Sequence, residues 1–231
     1  DVVELSNLQR QIAHGTGNLG LPKVESATCR IGDLNPGVHV EAMTVKLGPH
    51  NAAQLVAGYD VVVDALDSLR DRFLLSDACV AMGKPMVHGA VSGWMGEAMT
   101  YVPGQGPCYR CVFGGGAAGD ATACDADTAV SVGAYTGAED APEDLGALSP
   151  ERVGVLSSAP GVIGAIEATE VLKLITGAGE PLVGRLLLWD GMRMRFDQIV
   201  VMADPVCSAC ETGGPGKRGQ CHDYADNGCR D

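Results

Sequence analysis

Aromatic side chains are scarce in this sequence of 231 residues: three Phe, two Trp and five Tyr supply 4% of it. A core with so few large rings has to come from aliphatic side chains and close backbone approach. The 32 glycines permit that approach, so the composition suits an α/β fold. Positive charge is short as well. Sixteen Lys and Arg stand against 29 Asp and Glu, a net charge of −13, which argues against a nucleic-acid footprint and against binding to an anionic membrane surface. No stretch approaches the roughly 18–20 apolar residues of a membrane span, and no signal-peptide pattern is visible. With 46% hydrophobic residues the chain can still bury a full core, and one large domain, or one domain with an appendage, is expected.

Cysteine, by contrast, is plentiful, with nine in the chain. Four of them form two C-x-x-C pairs, Cys108/Cys111 and Cys207/Cys210, beside the turn formers Gly104, Gly106, Pro107 and Pro205. A tight knuckle presents two thiolates on one side of the backbone, and two knuckles supply the four soft ligands of a tetrahedral Zn²⁺. The other reading, buried or reactive thiols without a metal, has to account for the same spacing twice. A closed four-cysteine shell keeps no position open for water, so the expected zinc is structural. It would clip two distant parts of one fold together. The remaining five (Cys29, Cys79, Cys124, Cys221, Cys229) are scattered, and an odd remainder reads as reduced and cytoplasmic.

Along the chain, apolar runs alternate with helical stretches. Val38–Leu47 alternates as a half-buried strand does, Tyr59–Leu66 is a continuous apolar run ending in acid, and Lys84–Val91 is another such run. Helices are expected from Pro22 to about Leu34, over Asn51–Ala57 and over Ser68–Met82. This alternation predicts βαβ units: a Rossmann-like α/β fold with a mostly parallel sheet. After Gly93 the pattern turns antiparallel, with strands over Glu97–Val102, Arg185–Trp189 and Met194–Val201. The clearest helix is Pro160–Thr176, with Pro160 at its start and Gly177 past its end. It fits a core or an interface equally well. Residues 120–151 hold eight acids and no base, the composition of a solvated insertion. Residues 212–231 read as a flexible Gly-rich tail. Its Cys221, His222 and Cys229 could bind a metal or simply be solvated.

Charged residues at the expected sheet edge carry the chemistry. Arg10 and Lys23 could neutralise phosphates, and Asp67, after the end of a parallel strand, is placed to hold Mg²⁺. On spacing alone each has an ordinary alternative: an exposed cation, or a carboxylate capping the next helix. The order of motifs goes further. ELSNLQRQ, Lys23 in GLPKVESA, YDVVVDALDS, GKPMVHGAV, PGQGPCYRCVF, PGVIGAIEATEVLKLITG and DPVCSAC together resemble the MoeB/ThiF family, bacterial relatives of ubiquitin-activating enzymes. The resemblance runs from residue 1 to about 211, interrupted by the acidic insertion.

The resemblance implies ATP-dependent adenylylation of the C-terminal glycine of a ubiquitin-like sulfur carrier ending in Gly-Gly, for molybdopterin or thiamin synthesis. It implies that Ser6, Asn7 and Arg10 lie against ATP, with Lys23 a second phosphate ligand. Asp67 would place Mg²⁺, with Ser68 beside it. Cys124 matches a cysteine that some relatives use covalently, yet Asp120, Asp125 and Asp127 raise a thiol pKa, so a loop cysteine without such a role is the other reading. Arg72 matches an arginine near the active centre or is an exposed helix residue, and Arg110 is expected to pack or to touch the carrier. A sulfur donor such as a cysteine desulfurase and a homodimer are the further partners implied.

Departures from the family pattern also matter. The family's Gly-rich first turn and its βαβ start are absent, so the sequence reads as lacking that N-terminal part, and the 231-residue chain alone is expected to bind ATP poorly. Ser68 stands where Asn is usual. Glu97 stands where Gln is common, adding charge near the presumed groove for the carrier tail. Two alternatives follow: a zinc-stabilised carrier-binding scaffold with impaired catalysis, or an enzyme like the tRNA threonylcarbamoyladenosine dehydratases, against which the zinc pairs weigh.

Overall fold

The computed structural model describes residues 1–114 and 154–210. The acidic segment with Cys124 and the Gly-rich tail lie outside the described residues. The elements are α1 (Lys23–Leu34), α2 (Ala52–Ala57), β1 (Val62–Asp64), α3 (Leu69–Met82), β2 (Met86–Ser92), β3 (Met95–Tyr101), α4 (Tyr109–Phe113), α5 (Ala159–Thr176), β4 (Arg185–Asp190) and β5 (Arg195–Val200). Helix ends follow local chemistry. Ser68 caps α3, its hydroxyl accepting the Asp71 N–H at 3.4 Å, and Gly83 stops it at φ 62°. Pro160 sits in the first turn of α5, and Gly177 ends that helix at φ 69°.

The strands lie side by side in the order β1 to β5. β1 and β2 are parallel and joined through α3, whereas β2–β3, β3–β4 and β4–β5 are antiparallel. The sheet thus changes from parallel to antiparallel at β2, as expected. Val38–Leu47 is not a strand: among the described residues nothing pairs with it, and Val38 and Val45 are about half exposed. Alternation marks a segment able to form a strand, but a strand exists only with a partner for its backbone groups.

Register divides the sheet into two faces. Met86, Met99, Tyr101 and Leu186 meet α2, α3, α4 and Cys207 in one core cluster. On the opposite face, Ala98, Leu187 and Trp189 meet the α5 side with Ile163 and Ile166. α5 is therefore a core helix, packed closely on the sheet. Glycines allow it: a Cβ at Gly96 would stand 2.5 Å from Ile163, and one at Gly89 would collide with Glu167. Among the described residues no helix is long and apolar enough to cross a membrane.

Glu170 anchors α5 by polar contacts. Its Oε2 accepts from the Thr100 hydroxyl at 2.7 Å and from the Leu182 N–H at 2.6 Å, and its Oε1 meets Lys173 Nζ at 2.6 Å. The carboxylate is 1% exposed. Glu170→Ala leaves two buried donors without an acceptor, so it is expected to cost about 2–4 kcal/mol in urea unfolding. Ala substitution of exposed Leu172 on the same helix should cost well under about 1 kcal/mol.

Candidate functional site

The N-terminal motif and Lys23 are brought together by backbone pairing. Val2 bridges to Pro22, Val3 N–H donates to Leu21 O at 2.9 Å, and Lys23 N–H donates to Asp1 O at 3.0 Å. Ser6 lies exposed in the 3-10 turn Leu5–Asn7. Asn7 is buried, and its Oδ1 accepts the Glu4 N–H at 3.0 Å. Arg10 is half-buried and its Nη1 donates to Ser6 O at 3.0 Å, while Lys23 Nζ pairs with Asp1 Oδ2 at 2.6 Å. Gln9 Nε2 reaches Val155 O at 3.3 Å, tying the motif to the segment that lies on the β2–β3 turn.

Asp67 is exposed in the loop after β1, and Ser68 caps α3 beside it. Among the described residues no hydrogen bond or ion pair joins Arg10 or Lys23 to either. The loop is gripped through Leu66, whose N–H donates to Asp64 Oδ1 at 3.0 Å and whose carbonyl accepts from Arg72 Nε at 2.9 Å. Arg72 is partly buried, and its Nε lies 3.9 Å from Asp64 Oδ2. It is therefore not an exposed helix residue: it holds a carbonyl of the loop that carries Asp67.

Asp64 begins a buried polar chain across three strands. His88 Nδ1 lies 2.7 Å from Asp64 Oδ2, and His88 Nε2 lies 3.4 Å from Glu97 Oε1. All three residues are buried. Glu97, expected to add charge to a groove for a carrier tail, instead turns its carboxylate to His88. Burial pulls the imidazole pKa down, but its hydrogen bonds to Asp64 and Glu97, with their charges, hold it above the ordinary value. Tyr109 and Phe113 close over the ring, with centroids at 4.8 and 5.7 Å.

Glu167 stands on the other side of the sheet, against Gly89, and its buried Oε1 has no partner among the described residues. Burial pushes its carboxyl up to about 7; the charges of His88 and Arg72 oppose this and that of Asp64 adds to it.

The four expected metal ligands do converge. The sulfurs of Cys108, Cys111, Cys207 and Cys210 all lie within 4.8 Å of one another. Neighbouring sulfurs are 3.7, 3.6 and 3.3 Å apart, too far for disulfides. Four thiolates at about 2.3 Å from a tetrahedral zinc would stand about 3.8 Å apart, so the cluster could hold zinc with small adjustment. Cys108 caps α4 and Cys111 lies within it. Arg110, between them, makes a bidentate pair with Asp77 at 2.6 and 2.7 Å and stacks over Phe73 at 4.9 Å, a packing role as expected.

Sequence reading missed that Asp64, His88 and Glu97 join in one chain, and that Glu167 and Glu170 are buried against the sheet. A signal was present in each: one ionisable residue inside an apolar strand or helix run.

Two outcomes follow. The protein is expected to retain one zinc by elemental analysis, and Cys207→Ser should release it and lower stability by about 2 kcal/mol or more. Glu167 is protonated more readily when folded than in the unfolded chain, so stability falls as pH rises from about 4.5 to about 7 and stays reduced above. Glu167→Gln should therefore stabilise by about 2 kcal/mol at pH 8, with the gain vanishing near pH 4 in urea unfolding.

Residues 1–209 match the ThiF family. The chain is 41% identical over 214 residues to the SAMP-activating enzyme E1 of Haloferax volcanii, covering 93% of this chain and 70% of that protein. It is 37% identical over 216 residues to a sulfur carrier protein adenylyltransferase of Thermus thermophilus, covering 91% and 70%. Among solved structures, E. coli MccB with ATP superposes with a TM-score of 0.69 at 19% identity, covering 91% of this chain and 57% of that one, a likeness of fold. The chain belongs to the ThiF family, among relatives named as adenylyltransferase and activating enzyme.

Proposed function

We propose that the protein adenylylates the C-terminal glycine of a ubiquitin-like sulfur carrier, with ATP as the donor. In this step a carboxylate oxygen forms a bond to the α-phosphorus and the α–β phosphoanhydride bond breaks, releasing pyrophosphate. The observation that carries the reading is the exposed carboxylate of Asp67 past the carboxyl end of the parallel strand β1, in a chain that matches the ThiF family over residues 1–209. Ligands of open α/β sheets bind at that edge.

Within this reading, Asp67 holds Mg²⁺, with the Ser68 hydroxyl beside it. Arg10 and Lys23 gather charge on the phosphates as pyrophosphate leaves, Lys23 exchanging its exposed contact with Asp1 for the nucleotide. Ser6 lines the same turn. Asn7 is committed to Glu4, so it serves by holding the turn that presents Arg10. Cys124 is proposed as the covalent or persulfide-bearing thiol of a later sulfur transfer, with sulfur from a donor such as a cysteine desulfurase. Zinc in the four-cysteine cluster serves the scaffold. The carrier belongs to molybdopterin or thiamin synthesis, and the working unit is a cytoplasmic homodimer.

Pyrophosphate–ATP exchange with a Gly-Gly-ending carrier tests the reaction. The intact protein should show carrier-dependent exchange. Asp67→Ala should lower it by about 100-fold or more, and Lys23→Ala should weaken mainly the ATP dependence. Cys124→Ala should leave exchange intact. Absence of exchange with every such carrier sinks the reading.

A further inference from the structure

Asp67 can act only if its loop is held. Its grip passes through Leu66: Asp64 takes the N–H and Arg72 takes the carbonyl. Asp64 is in turn a fully buried carboxylate, which requires a close partner to keep one position and one charge. His88, opposite it in the β1–β2 register, supplies that partner at 2.7 Å.

We infer that His88 is a positioning residue for the Asp67 loop: held between Asp64 and Glu97, its imidazole fixes Asp64, and Asp64 with Arg72 grips Leu66. A neutral imidazole donates from one nitrogen, whereas His88 meets a carboxylate oxygen at each nitrogen. The doubly protonated ring satisfies both. Two negative groups face it, Asp64 on β1 and Glu97 on β3, and Arg72 on α3, beside Asp64, is positive, so the protonated ring on β2 completes the balance. Tyr109 on α4 is neutral, and Glu167 on α5, across the sheet, loses its proton as pH rises through about 7. The lid of Tyr109 and Phe113 keeps water out and fixes the ring plane. Loss of the proton turns an imidazole lone pair toward a carboxylate, and the weaker nitrogen contact opens.

This inference rests on the proposed adenylylation, with Asp67 at the reacting centre, so its test needs a readout that does not depend on activity. His88→Asn keeps a donor near the Nδ1 position, while His88→Leu removes both donors at similar volume. In pyrophosphate exchange, His88→Leu should lower kcat by about 10- to 100-fold with little change in KM for ATP, and His88→Asn should restore most of it. Wild type should lose kcat as pH rises through the raised imidazole pKa, and His88→Asn should lack that limb. Independently, hydrogen exchange at the Leu66 amide should quicken in His88→Leu, and in wild type with rising pH beyond the change that pH alone imposes on exposed amides. Should His88→Leu fail to fold, the wild-type Leu66 profile and His88→Asn still decide. An unchanged Leu66 amide and a kcat within twofold in His88→Leu overturn the inference, as does a Leu66 profile in wild type that follows pH like an exposed amide. Absence of exchange in wild type with the Leu66 response intact sinks the adenylylation reading and leaves the loop grip standing.

Discussion

The convergence of four sulfur atoms is the constraint on which the site depends. Cys108 and Cys111 bracket the first turn of α4, a helix of five residues, and Cys207 and Cys210 lie in the segment after β5. A helix that short has no stability of its own in water. Its place under the sheet comes from the sulfur cluster, from Arg110 paired with Asp77, and from the rings that it buries. The cluster therefore does more than join two parts of the chain. It sets the height at which Tyr109 and Phe113 close over His88.

The scarcity of aromatics makes that lid more telling. Phe73, Tyr109 and Phe113 gather with ring centroids 5.1 and 4.5 Å apart, and His88 completes the group. Few rings are available, and they are spent where charges must be kept dry. In such a setting an unpaired ion is costly and a paired one is strong. The chain Glu97–His88–Asp64 is compatible with burial because each charge has a partner, and it ends where the loop of Asp67 begins. Sulfur cluster, aromatic lid, polar chain and loop are thus successive layers of one support.

Much of the architecture was legible. Pro160 and Gly177 marked α5, the stretch Ser68–Met82 marked α3, and the strands expected over Arg185–Trp189 and Met194–Val201 became β4 and β5. These signals are local, so tertiary context had little to add. Val38–Leu47 shows the opposite case. Its alternation is clear in sequence, yet it is not a strand, because pairing needs a partner that no local pattern supplies. The pairs of cysteines announced a metal site through their spacing, and the sulfurs do meet. His88 and Asp64 were visible only as single polar residues in apolar runs. Their meaning depends on register, since the pairing Asp64↔His88 is what turns two isolated residues into a chain.

The sequence by itself determined the sulfur ligands, the helix limits and the family motifs, because each is written in neighbouring residues whose chemistry acts over one or two turns of backbone. Only the tertiary structure decided that α5 is a core helix, that Glu97 turns inward to an imidazole, that Arg72 holds a carbonyl of the Asp67 loop, and that Glu167 Oε1 has no hydrogen-bond partner among the described residues. Those outcomes follow from which strand lies beside which and which face is covered. Burial and pairing across such distances set the charge states, and no short stretch of sequence contains them.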